Sequence, residues 1–172
     1  SKDSFYDRGN FYEVNMGIRI KGKSLVIKNL KKEIKKIKGK MTRVGMLKAG
    51  LLVMERSKEL APKDKGNLRE SGFVVIGGEG FPSQAVTTNN FNSEEPEGKR
   101  VASEHGAVVG KFKAKKNKNK VFAVIGHSAF YALKEHEAMD EVHDIGHAKF
   151  LESAAGQSRR DILKILKESV KR

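Results

Sequence analysis

Hydrophobic and polar positions change their period several times along the chain. Residues 17–22 (Gly-Ile-Arg-Ile-Lys-Gly) alternate apolar and charged side chains, which predicts a strand. From Ile27 the step lengthens: Ile27, Leu30, Ile34 and Ile37 recur at three and four residues with Lys opposite, the pattern of an amphipathic helix. Gly39 interrupts that pattern, and Thr42 is placed to cap a second, longer helix running to Leu60. The second helix has two apolar stripes. Val44, Leu47, Leu51 and Met54 make one, and Met46, Val53 and Leu60 the other, with Ala49 and Gly50 between. A helix apolar on two sides must be covered on two sides, as the central helix of a fold or against a second subunit. Gly50 is expected to be tolerated there, with a close backbone approach as the alternative.

Pro62 ends the helix, because the residue before a proline is pushed out of the α region. Residues 73–76 (Phe-Val-Val-Ile) predict a buried strand, and residues 78–100 read as a long acidic loop. Val101–Val109 and Val121–Ile125 are the next strand candidates. The Lys-rich segment 111–120 between them is expected to be the tip of a β-hairpin. Apolar positions from Leu151 to Leu166 hold helical spacing and predict a C-terminal helix. The expected class is α+β: an antiparallel β-sheet packed on one face against a long central helix and the C-terminal helix. Residues 1–16 are expected to form an N-terminal arm bearing Phe5, Tyr6, Phe11 and Tyr12, and residues 17–172 a single domain.

Composition narrows the functional classes. The 172 residues suit one domain, and the 38% hydrophobic content is low for a packed chain. No apolar run approaches the roughly 20 residues of a membrane span, and the first twenty residues lack the pattern of a secretory leader. With no Cys, disulfides, thiolate metal sites and Cys nucleophiles are excluded, and a reducing compartment is expected. The formal charge is +14. The excess is confined to residues 19–65 and 111–120, which carry +12 and +6, whereas 66–110 carry −3. Such a field favours phosphate backbones, but the runs are mostly Lys without interleaved aromatics, so sequence-specific base reading is not expected.

The candidate chemistry is sparse. His136, His143 and His147, with carboxylates nearby, are the only grouping with metal-ligand residue types, and Gly146 argues against a regular helical pair. No nucleophile elbow surrounds Ser128, and no phosphate-binding helix follows Gly77–Gly80. The expectation is a protein that is not an enzyme, with no catalytic residues, no cofactor and no metal. A metal-dependent hydrolase using the three His is the remote alternative.

Residues 61–71, Ala-Pro-Lys-Asp-Lys-Gly-Asn-Leu-Arg-Glu-Ser, lie between a long helix and a strand. Pro62 stops the helix, Asp64 suits the turn, Gly66 suits a left-handed conformation, and Arg69 can hold a carboxylate or carbonyls in a two-pronged contact. This junction resembles that of the tailed-bacteriophage head–tail joining, or tail-completion (neck), family related to a minor tail component. Residues 129–135, Ala-Phe-Tyr-Ala-Leu-Lys-Glu, resemble the family's aromatic segment, and Phe150-Leu151-Glu152-Ser153-Ala154 its entry to the last helix. The resemblance spans about residues 17–171. It departs in having no Pro before Phe150 and in the longer 78–100 and 111–120 segments.

The resemblance implies a non-enzymatic structural protein of the virion, assembled in the host cytoplasm. It would form a homo-oligomeric ring in the neck, six-fold by preference and twelve-fold as the alternative. The implied neighbours are portal-side connector and tail-tube or tail-terminator proteins, with genome DNA passing through the lumen. Candidate interface residues are Phe5, Tyr6, Phe11, Tyr12, Met46, Val53 and Arg69. Lys111, Lys113, Lys115, Lys116, Lys118 and Lys120 are candidates to meet either DNA or an acidic neighbour. A non-specific DNA-binding protein is the principal alternative.

Overall fold

A computed structural model describes residues 23–63, 66–78, 81–88, 90–114 and 120–171. The expected arm and the 17–22 strand lie outside the described residues. Helix α1 runs unbroken from Lys23 to Leu60, where two helices were expected. Gly39 does not break it, since the site faces open space and asks only for helical backbone, a cost of about 1 kcal/mol relative to Ala. Further elements are α2 (Asn67–Glu70), β1 (Gly72–Gly78), β2 (Phe81–Thr87), α3 (Pro96–Lys113), β3 (Phe122–His127), α4 (Ala132–Glu137) and α5 (Phe150–Lys171).

The three strands form an antiparallel sheet in the order β2-β1-β3. The fold is α+β, with the sheet packed against the long helix and the C-terminal helix alongside. Strand β1 is central, and Phe73, Val74, Val75 and Ile76 are each no more than 2% exposed. Burying each side chain contributes roughly 1.5–3 kcal/mol. Continuous burial means both faces of the strand are covered, which corrects the expectation of helices on one face only. Val74 faces α1 at Gly50, where a Cβ would lie 2.8 Å from the Val74 side chain. Gly50 therefore marks a close approach rather than tolerance. On the opposite face Phe73 and Val75 pack with Val109, and the Phe73 and Phe112 rings are 5.4 Å apart.

Those contacts also correct the expected hairpin. Residues 101–109 belong to helix α3, whose buried positions Val101, His105 and Val109 recur every four residues. The long acidic loop is likewise absent as such: β2 occupies 81–87 and α3 begins at Pro96.

The two-sided burial expected of α1 holds over its second half. One side meets the sheet, and Met54 closes over Gly72. The other side meets α5, which runs antiparallel to it. Gly45 lies against Ser169 and Leu166, while the Arg56 guanidinium reaches Ser158 Oγ (2.9 Å) and Asp161 (2.7 Å) in the middle of α5. Before Gly45 the Arg43 guanidinium lies over the Phe81 ring (4.3 Å). Ile27, Leu30, Ile34 and Val44 are between 41 and 56% exposed.

Candidate functional site: the corner at the end of the long helix

The junction between α1 and β1 is held by its own side chains. Arg69 donates from Nε (3.0 Å) and Nη2 (2.7 Å) to the carbonyl of Ala61, and from Nη2 to that of Glu59 (3.2 Å). It thereby satisfies carbonyls that the end of a helix leaves unpaired. Gly66 adopts φ 84°, the left-handed conformation the turn requires. Asn67 Oδ1 accepts from the Asn92 amide (2.8 Å), and Ser71 Oγ donates to the Leu68 carbonyl (2.7 Å). Asp64 lies outside the described residues. The two-pronged contact read from the sequence for Arg69 is thus made to carbonyls inside the chain.

Behind the corner His127, the last residue of β3, is half-buried between Ser57 of α1 and Phe150 of α5. Its Nδ1–H donates to the Leu68 carbonyl (2.9 Å), which fixes the tautomer and leaves Nε2 to accept from Ser57 Oγ–H (2.8 Å). The Phe150 ring stands edge-on to His127 (5.2 Å) and to His136 (5.0 Å). Burial drives the His127 pKa down to about 4; the Leu68 bond opposes this, and the charges of Lys58 and His136 add to it. Ser57 is fully buried, and a carbonyl stands where a triad would need a carboxylate, so this Ser–His pair is a structural lock. A second histidine, the buried His105, bonds Ser128 Oγ (2.5 Å) and Thr87 Oγ1, and burial lowers its pKa as well. Sequence reading gave neither histidine these partners, which lie between 18 and 70 residues away.

Over the corner sits α4 and the segment that follows it. Lys63 N–H donates to Ile145 (3.1 Å) and His147 N–H to Leu60 (3.0 Å), so residues 138–149 are tied to the end of α1. The outer face is apolar and acidic together. Leu133 (72%), Met139 (69%) and Val142 (98%) are strongly exposed, and residues 132–145 hold five carboxylates against one lysine. An open groove of about 510 Å³ lies here, its walls including Phe130, Tyr131, Val142 and Asp144.

The three histidines of the remote hydrolase alternative do not converge. His136 Nδ1 bonds Glu137 (2.8 Å), and His147 turns to the Ala148 carbonyl. Among the described residues His143 alone of the three belongs to a grouping of three ligand types: its Nε2 is 3.7 Å from Glu135, and with Glu141 the three ligand atoms lie within 4.8 Å of one another. The hydrolase alternative built on His136, His143 and His147 thus loses its geometry.

The remaining candidates are scattered. Val53 is in the core, 3% exposed, and Met46 is half-buried. Phe5, Tyr6, Phe11 and Tyr12 lie outside the described residues, as do Lys115, Lys116 and Lys118. Lys111 and Lys113 are exposed in the last turn of α3, and Lys120 is exposed before β3, so the basic segment joins a helix to a strand. Among the described residues no helix is long and apolar enough to cross a membrane. Comparison with family models, curated proteins and solved structures finds no match to the chain.

Proposed function

We propose that the chain is a structural protein of a tailed-phage virion, forming a homo-oligomeric ring in the neck between the portal-side connector and the tail. One observation carries the reading. The three segments that resemble the neck family meet in a single core cluster: Ala61 and Leu68 from the first, Ala129 and Ala132 from the second, and Phe150 from the third. Segments separated by some ninety residues of sequence thus act as one structural unit, as expected if the resemblance reflects a shared fold. The reading calls for no catalysis and no cofactor. A ring also needs two unlike surfaces on each subunit. The exposed Ile27, Leu30 and Ile34 of α1 and the exposed apolar residues over the corner lie toward opposite ends of that helix, about 40 Å apart at 1.5 Å per residue.

The exposed Lys111, Lys113 and Lys120 favour the second reading, non-specific binding of duplex DNA. Native mass spectrometry across a concentration series, with and without a preassembled portal–connector complex, separates the two. A closed ring of six subunits is expected, twelve being the alternative. Absence of a ring under both conditions, with duplex affinity falling steeply as salt rises, would move the assignment to DNA binding.

A further inference from the structure

The segment over the corner holds a ligand set that the functional reading leaves unused. Glu135 of α4 and Glu141 and His143 of the loop after it each bring one ligand atom to the same spot, all three within 4.8 Å of one another. His143 Nε2 is shut off from solvent and has no hydrogen-bond partner among the described residues. Its contact with Glu135 Oε2, at 3.7 Å, is too long for a hydrogen bond. A buried ring nitrogen in that condition is costly, and a partner placed between the two groups would relieve it. The spacing suits a metal ion. Two ligand atoms held about 2.1 Å from a tetrahedral zinc lie about 3.4 Å apart. The His143–Glu135 separation is only about 0.3 Å wider than that. Glu141, whose side chain is 46% exposed, has the freedom to close the remainder. His136 Nε2 is also buried without a partner, yet no pair of carboxylates converges on it among the described residues.

We propose that Glu135, Glu141 and His143 bind a zinc ion, which ties α4 to the loop that follows it. The donor set chooses the metal. An imidazole nitrogen suits zinc, whereas calcium and magnesium take six or more oxygen ligands. The two carboxylates offset the charge of the ion. Lys63 and Lys134 stand against it, since both line the neighbouring groove, and Lys134 Nζ lies 3.4 Å from Glu141 Oε1. That ammonium belongs to a side chain 71% exposed, and an ion pair so open to water is weak enough for a coordinate bond to displace. Glu135 and His143 also line the groove, so the fourth zinc position, left to water by a three-ligand set, falls on the groove side. The ion acts by ordering. Residues 138–149 contain neither helix nor strand and are tied to the end of α1 by the Lys63–Ile145 and His147–Leu60 backbone bonds. A zinc bridge from Glu135 adds a tie between this loop and α4.

The test titrates zinc by calorimetry into the full chain, free of any purification tag, as the parent and as Glu141→Gln, His143→Gln and His147→Ala. The parent is expected to take one zinc per chain. Glu141→Gln and His143→Gln should each weaken binding by about a hundredfold or more, since losing even an outer partner of a metal ligand costs roughly 10–100-fold. His147→Ala removes an exposed histidine outside the set and should bind as the parent does. Glu141 is exposed, so its variant should melt with the parent in the absence of metal. Hydrogen exchange gives a second readout: zinc should slow the amides of residues 138–149 in the parent and leave them unchanged in His143→Gln. Absence of stoichiometric zinc, zinc binding retained by every variant, or equal binding of magnesium, as an acidic patch would show, each overturns the proposal. None of these results bears on the ring reading, which native mass spectrometry decides separately.

Discussion

Acid should destabilise this protein chiefly through His127. In the folded chain its pKa is about 4, against 6.5 for an unperturbed histidine. Between those two values the unfolded chain binds the proton and the folded chain does not. Stability is therefore fully present above pH 6.5 and is lost progressively as pH falls toward 4. At 1.36 kcal/mol per pH unit the whole window is worth about 3 kcal/mol, and the part lost between pH 7 and pH 5 about 2 kcal/mol. For a chain of this size that corresponds to a fall in melting temperature of roughly 4–8 °C. His105, also lowered by burial, acts in the same direction. The assay is urea unfolding at pH 7 and pH 5 on the parent and on His127→Gln. The variant loses the Ser57 and Leu68 geometry and starts less stable, but its further loss on acidification should be smaller by about 2 kcal/mol. Parallel losses in parent and variant would refute the assignment of the proton to His127.

Two further substitutions test the packing. Arg69→Met should cost about 2 kcal/mol in urea unfolding, because the carbonyls of Glu59 and Ala61 lose charged donors at the end of α1. In α3, Gly98→Ala would set a Cβ 1.8 Å from the Asn92 carbonyl oxygen and should lower stability by roughly 1–3 kcal/mol or more. Gly106→Ala in the same helix meets nothing within 4 Å and should instead raise stability by up to about 1 kcal/mol, both effects being read from thermal melts.

Legibility from sequence followed the strength of the local pattern. Strand β1 and helix α5 were plain because Phe73–Ile76 is an unbroken apolar run and Leu151–Leu166 keeps one helical stripe. Helix α3 was misread because valines at 101, 108 and 109, with glycines at 106 and 110, look strand-like. Its true period appears only in Val101, His105 and Val109, where a histidine stands at a core position. Strand β2 was hidden by Pro82, Ser83 and Gln84: it is an edge strand with alternating burial, and its pairing with β1 rather than its own composition makes it a strand. At the corner, Pro62, Gly66 and Arg69 announced a turn and an anchoring guanidinium. The His127 lock was invisible, since Ser57, Leu68 and Phe150 lie between 23 and 70 residues from it along the chain.

The antiparallel seating of α5 on α1 also bears on how the chain is made. Arg56 waits for Ser158 and Asp161, 102 and 105 residues further on. On a ribosome adding 5–20 residues per second, the second half of α1 would stand uncovered on that side for roughly 5–20 s before residues 150–171 emerge. During that interval its Gly45 notch and neighbouring apolar surface are open to any passing helix. Completion of α5 is thus the step that ends the vulnerability of the nascent chain, and stalling before it would leave the longest helix a target for chaperones and misassembly.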